Sequence, residues 1–263
     1  MKAIQFKPTV LGALLLLTLI FTACSKVIDV DLNSADPQYV VEGAVTKGET
    51  VHRIAITRTL NFDEVGPFPT VNNAVVTISD DAGNSEVLTL VEPGIYATAN
   101  LLGVEGRIYT ITVSVDGKVF TAQSTMPVQV PYTELTVFPV VFGSDTINTL
   151  IPQRVDPAGI ANYYQFNTYQ NGERLEGIQI QDDEFSDGQE QLQPLFLGEF
   201  ETGDTATVTM FCIDKPVFKY FFSLDASNSG NSSAPANPVS NFGKACLGYF
   251  SARTSETHSV VIP

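Results

Sequence analysis

Ile108-Tyr109-Thr110-Ile111-Thr112-Val113-Ser114-Val115, then Asp116-Gly117, then Lys118-Val119-Phe120-Thr121-Ala122-Gln123-Ser124 sets two alternating stretches around a dipeptide that readily takes positive φ. A period of two marks strands buried on one face, and Asp-Gly between two such runs closes a tight hairpin. Upstream the same pattern recurs in Tyr39–Thr46, Val51–Thr57, Ala74–Ser79, Glu86–Val91 and Ile95–Ala99. These are separated by Lys47-Gly48-Glu49, Asp80-Asp81-Ala82-Gly83-Asn84 and Glu92-Pro93-Gly94, which carry turn chemistry. Short strands at this spacing predict an immunoglobulin-like or transthyretin-like β-sandwich over residues 38–126.

Met126-Pro127-Val128-Gln129-Val130-Pro131 breaks the alternation with two prolines that cannot donate to a ladder, so residues 127–131 read as a linker. Beyond it, Leu135–Val141, Tyr163–Tyr169, Gly177–Gln181, Leu192–Leu197, Ala206–Ile213 and Leu247–Ala252 predict a second β-rich domain over 132–263. Asp214-Lys215-Pro216 has the form of a helix start, with a capping carboxylate and proline in the first turn. Val217, Phe218, Phe221 and Phe222 follow at helical spacing, predicting one helix near 216–226. The fold class is therefore mainly β, two β-rich domains with a single helix on the second.

The first residues carry an address. Lys2 and Lys7 precede an apolar run from Val10 to Thr22, and Phe21-Thr22-Ala23-Cys24 ends it with small residues and a cysteine. This order predicts a lipoprotein signal peptide over 1–23, acylation of Cys24 and a lipidated tether over 24–37. An ordinary signal peptide with Cys24 near its cut by coincidence is the alternative. The run is short for a bilayer core of roughly 30 Å. Attachment through two or three acyl chains is stable where one chain alone is marginal. Cleavage removes Lys2 and Lys7 and no acid, leaving 12 basic residues against 29 acidic ones. Such a surface argues against nucleic acid and leaves the lipid as the membrane contact.

Cys212 and Cys246 remain after Cys24. In an oxidising compartment they could form a disulfide, stabilising by about 3 to 4 kcal/mol on the loop-entropy model, or stand as buried free thiols. With only His52 and His258 as histidines, no zinc spacing or Ser-His-Asp order is legible, and neither a nucleophile elbow nor a phosphate-binding glycine loop occurs. The chain reads as non-catalytic and without a cofactor. Asp182, Asp183 and Asp187 before Gly188 have some of the oxygens a calcium loop needs. Phe185 stands where another ligand belongs and no closing glutamate follows, so a solvated acidic turn competes with a calcium site. Tyr163, Tyr164, Phe166 and Tyr169 offer aromatic faces for a sugar, but alternation sends Tyr163 and Tyr164 to opposite sides, which favours packing. The polar stretch Asn228–Asn241 reads as either a surface excursion or a contact loop.

Beyond Cys24 the chain carries Val27-Ile28-Asp29-Val30-Asp31-Leu32, Tyr39-Val40-Val41-Glu42-Gly43, Ile56-Thr57-Arg58-Thr59 and Val71-Asn72-Asn73-Ala74-Val75-Val76. It continues with Gly94-Ile95-Tyr96, Gly106-Arg107-Ile108-Tyr109, the Asp182–Gly188 turn, Ala236-Asn237-Pro238 and Leu247-Gly248-Tyr249-Phe250. In these segments it resembles the Bacteroidota lipoproteins grouped as the domain of unknown function family 4249, often encoded beside TonB-dependent outer-membrane receptors. The resemblance implies an outer-membrane lipoprotein working with a receptor barrel as an accessory or ligand-capture subunit. It carries no catalytic residue over. It also implies O-glycosylation acceptors at Thr146 and Thr205, each preceded by aspartate. Ser25-Lys26-Val27-Ile28 lacks a dense acidic run of the kind associated with surface export, and periplasmic and outward facing both stay open. The other function class is a structural or adhesive envelope protein with no receptor partner.

Overall fold

A single fifteen-residue strand near the C-terminus, Leu247–Val261, pairs with the first half of the chain along its early residues and with the second half along its later ones. The computed structural model describes residues 36–61, 64–228 and 237–263. The first half holds β1 (Tyr39–Thr46), β2 (Arg53–Arg58), β3 (Val75–Asp80), β4 (Ser85–Val87), β5 (Thr89–Glu92), β6 (Ile95–Ala97), β7 (Ile108–Val115) and β8 (Lys118–Thr125). The second holds β9 (Tyr132–Phe142), β10 (Asp145–Val155), β11 (Tyr163–Gln170), β12 (Glu173–Arg174), β13 (Gln179–Asp182), β14 (Glu190–Gln191) and β15 (Thr205–Ile213). It ends with helix α1 (Lys215–Asn228) and β16 (Leu247–Val261).

A nine-stranded sheet in the order β12-β11-β15-β16-β1-β2-β6-β5, with β13 also on β11, forms the spine. Over its first-half end lies the four-stranded sheet β4-β3-β7-β8, and the two meet in a core that includes Val41, Ile54, Ile56, Ile78, Ile111, Val113 and Phe120. This is the expected sandwich. At the other end, β14-β10-β9 contributes Tyr132, Leu135 and Leu150 to a second core with Tyr164, Phe166, Val208 and Met210. The opposite face of that end is covered by α1, whose Val217, Tyr220 and Phe221 pack on Phe211 and Ile213.

The chain crosses between the two cores at the proline-containing segment. Residues 126–131 do carry the chain from the first core to the second, with Met126 buried in one and Val130 in the other. But 132–263 is not a self-contained domain. Phe242, Cys246, Phe250 and Ala252 return to the first core, and β16 runs parallel to β1 from Leu247 to Arg253 before turning its partnership to β15. Residues 36–263 form one compact unit because the last strand is shared.

The Asp116-Gly117 hairpin closes β7 onto β8 with both residues at positive φ, 49° and 75°, as a type I′ turn requires. The Asp116 carboxylate accepts hydrogen bonds from Arg58 at 2.7 Å and Asn73 at 2.8 Å, so the turn also holds the β2 end and the strand entry before β3. At the far end of β3, Asp80 accepts from the Asn84 backbone at 2.8 Å, the Ala82 backbone at 3.1 Å and Arg107 at 2.6 Å. Burial alone would push its carboxyl up, but Asn84 and Arg107 together outweigh that and hold it below the usual range. Stability from Asp80 is therefore present above its unfolded pKa and lost as pH falls through its lowered folded value. Asp80→Asn is expected to cost about 2 kcal/mol near pH 7 by urea unfolding, the difference from wild type shrinking toward zero in acid.

Candidate ligand cleft and neighbouring carboxylates

Three segments brought together by the fold enclose a cleft. Val128, Gln129 and Val130 come from the crossing segment; Pro157, Ile160, Ala161 and Asn162 come from the loop after β10; Asp214 and Lys215 open α1. The cavity measures about 540 Å³ and is lined chiefly by apolar side chains, a size and character typical of small-ligand sites. A second hollow of about 390 Å³ shares Ala161, Tyr163 and Lys215 with it and runs toward Asp182, Asp183, Phe218 and Lys219.

Local sequence explains the placement. β15 ends at Ile213, and Asp214 caps the helix, its Oδ1 accepting from Val217 N–H at 3.2 Å while its Oδ2 accepts from Thr125 N–H at 2.9 Å. One side chain thus starts the helix and pins the crossing segment to it. Burial raises the Asp214 carboxyl despite these donors, so the cleft lining includes a carboxyl that resists ionisation, next in sequence to Lys215. Tyr163 packs on Phe218 at 5.1 Å between ring centres and forms the wall between the two hollows.

The acidic turn assembles differently from its sequence. Asp183, Asp187 and Asp156 each bring one oxygen within 4.8 Å of the others, and Asp182 is not part of the group. Asp182 instead accepts from Glu184 N–H at 3.3 Å within the turn. Asp156 closes the cluster from the end of β10, far upstream of the turn, and nothing in its local sequence signals this. Each member already has a protein donor. Asn162 N–H reaches Asp183 at 2.9 Å, Gly159 N–H reaches Asp187 at 2.6 Å, and the Tyr164 hydroxyl donates to Asp156. Three carboxylate oxygens so placed are the right type for a hard cation, while their donors account for the cluster as a loop-closing network. Gly188 has φ of 72°, and a Cβ there would stand 2.8 Å from Ala158, which is why the turn needs glycine.

The disulfide is a correction. Cys212 and Cys246 are both free and buried, and they belong to different cores. Cys212 lies opposite Thr254 on β16, and Cys246 immediately precedes that strand, so the gap is about eight residues of extended chain or roughly 26 Å. Cys212 instead accepts the Val130 N–H at 3.4 Å. Burial raises both thiols, Cys246 to about 12, so neither supplies a thiolate near neutral pH.

His52 is buried in the first half, its Nε2 bonded to Leu101 O at 2.8 Å. Burial lowers its pKa and keeps it neutral. His258 lies on β16 against the Tyr132 ring, and neither histidine lines the cleft. Tyr164 and Phe166 are core residues, as alternation suggested. Thr146 and Thr205 are both exposed, Thr205 at the start of β15. Cys24 and residues 229–236 of the polar stretch lie outside the described residues.

Fold and cleft together define a mainly β protein built on one shared sheet, with an apolar cavity where the chain crosses between its two cores. The chain belongs to the family described as domain of unknown function (DUF4249), whose model matches residues 25–259. No curated protein matches it.

Proposed function

We propose that the protein is an outer-membrane lipoprotein, anchored through acylated Cys24, that serves as a non-catalytic accessory or ligand-capture subunit of a TonB-dependent uptake system. The observation that carries this reading is the Val10–Thr22 apolar run ending in Ala23-Cys24. The cleft supports the capture role, since an apolar cavity with Asn162, Asp214 and Lys215 in its lining suits a partly apolar molecule bearing a polar end. The thiols held protonated by burial and the histidines placed away from the cavity leave it suited to holding a molecule.

Metabolic labelling with an alkyne fatty acid tests the anchor. Wild-type protein should take up label and sediment with outer membranes, whereas Cys24→Ala should lose the label and appear in the soluble envelope fraction. Equal membrane retention of both forms without label would overturn the anchored reading.

A further inference from the structure

The hairpin of β9 and β10 extends beyond the second core and is almost without charge. From Leu135 to Gln153 the only charged residue among 19 is Asp145, where the chain's average of 16% would place about three. Turns elsewhere do carry charge, as at Asp80-Asp81, Asp116 and Glu173. The base of the hairpin is packed, with Tyr132, Leu135 and Leu150 in the second core. Beyond that base, no residue described from Thr136 to Asn148 is buried.

Register sorts the exposed side chains onto two faces. Phe138 and Val140, with Ile147 opposite Val140, share one face; Val137, Pro139 and Val141 share the other. Phe138 is 53% exposed and Val141 69%, so both faces are apolar and open. Docking on a protein surface calls for one apolar face, whereas apolarity on both sides suits immersion in a fluid apolar phase.

The edge fits the same surroundings. β9 is the last strand of its sheet, and backbone groups on an open edge are costly in lipid. Thr149 Oγ1 donates to Phe138 O at 2.7 Å, so the Phe138 carbonyl faces β10 and the nitrogen of the next residue, Pro139, faces the open edge. That edge therefore lacks one N–H, and shallow entry, where water still reaches the backbone, keeps the remaining groups solvated. The net charge of −15 is repelled by an anionic surface, which leaves a neutral one as the match for the uncharged hairpin.

We infer that the distal β9–β10 hairpin enters the headgroup–acyl boundary of an electrically neutral lipid surface, with Phe138, Val140, Val141 and Ile147 as the inserted side chains. This contact rests neither on acylation of Cys24 nor on the uptake role. A glycan on Thr146, opposite Val141 near the tip, would exclude it.

The chain has no tryptophan, so a single introduced indole reports its own surroundings. Phe138→Trp and, as control, Phe185→Trp, at a position 94% exposed in the acidic turn, are made in the full chain. Each is purified from envelopes of its own cells and mixed with phosphatidylcholine vesicles with and without brominated acyl chains. Emission from position 138 should shift to the blue and be quenched by the brominated lipid, while position 185 stays red and unquenched. Adding Val141→Asp, at an exposed position where folding is not at risk, should abolish the quenching at 138. A blue shift at 138 without quenching would place the hairpin against protein and overturn the inference. Red emission at 138, equal quenching at both positions, or quenching that survives Val141→Asp would overturn it as well.

Discussion

Gly248→Val leaves the protein unfolded or insoluble at ordinary temperature. Gly248 sits second in β16 with φ of 88°, and a Cβ at that position would stand 2.1 Å from the Val41 carbonyl oxygen and 2.8 Å from its carbonyl carbon. The register pairs Gly248 with Val41, so the overlap falls on the backbone of the neighbouring strand and no rotamer relieves it. Positive φ in a β-branched residue costs of order 1 to 3 kcal/mol, and forcing the ladder apart costs a similar amount again. A combined loss of about 4 kcal/mol or more consumes much of the stability of an ordinary domain. Gly106→Ala is the control. Its φ is 76° but a Cβ there meets nothing, so only the strain of about 1 kcal/mol should appear. Urea unfolding of both variants checks the pair. Equal, small losses would mean that the β1–β16 junction yields easily and that the two cores are not held by the shared strand.

Arg154→Ala is expected to cost about 3 to 5 kcal/mol, the range for removing one partner of a buried charged network. Arg154 is 2% exposed on β10, stacked 4.2 Å over the Tyr164 ring, donating to Gln181 Oε1 at 2.8 Å and to Pro152 O at 3.3 Å. Tyr164 in turn donates its hydroxyl to Asp156. Burial raises the Asp156 carboxyl, and loss of the nearby guanidinium removes a charge that opposes that rise. In the sign of linkage, a carboxyl raised in the folded state stabilises most at low pH and loses that contribution as pH climbs through the folded value. The deficit of Arg154→Ala should therefore grow from mildly acid to neutral pH. The double change Arg154→Met with Asp156→Asn should recover most of it by filling the volume without charge. A loss under about 1 kcal/mol for Arg154→Ala would show that the network contributes little.

Much of this fold is legible in the sequence wherever one strand face is buried and the other wet. β7 and β8 alternate cleanly, and the Asp116-Gly117 turn joins them as the dipeptide predicts. Asp214-Lys215-Pro216 starts the helix where expected, and α1 runs two residues past the predicted end. The errors have physical reasons. Glu86–Val91 reads as one strand but is two, because Leu88 turns inward and passes the chain from β3's sheet to β6's. β10 is not legible in the sequence because Asn148, Gln153 and Arg154 interrupt its apolar pattern and Pro152 lies within it. Leu192–Leu197 reads as a strand, yet only Leu195 bridges Leu150. The predicted strand Leu247–Ala252 runs on to Val261, a continuation hidden because Arg253–Ser259 is almost wholly polar. Asn171-Gly172, with both residues at positive φ, closes β11 onto β12, and Asn-Gly is itself a hairpin signal in the sequence.

The cleft was the least legible feature. Its walls come from residues near 128, 160 and 214, each unremarkable alone, and only the return of β15 beside the crossing segment brings them together. The same holds for Asp156, which replaces Asp182 in the carboxylate cluster. Sequence can reveal a turn rich in acid, but not which distant carboxylate folds against it.

Affinity purification of the tagged full-length protein from detergent-solubilised envelopes of its own cells, with mass spectrometry of what accompanies it, tests the proposed role most directly. The account predicts a β-barrel receptor of the TonB-dependent class recovered in near-equal amount. Recovery of the protein alone, under conditions that keep other receptor complexes intact, would contradict it and favour a free-standing structural or adhesive role.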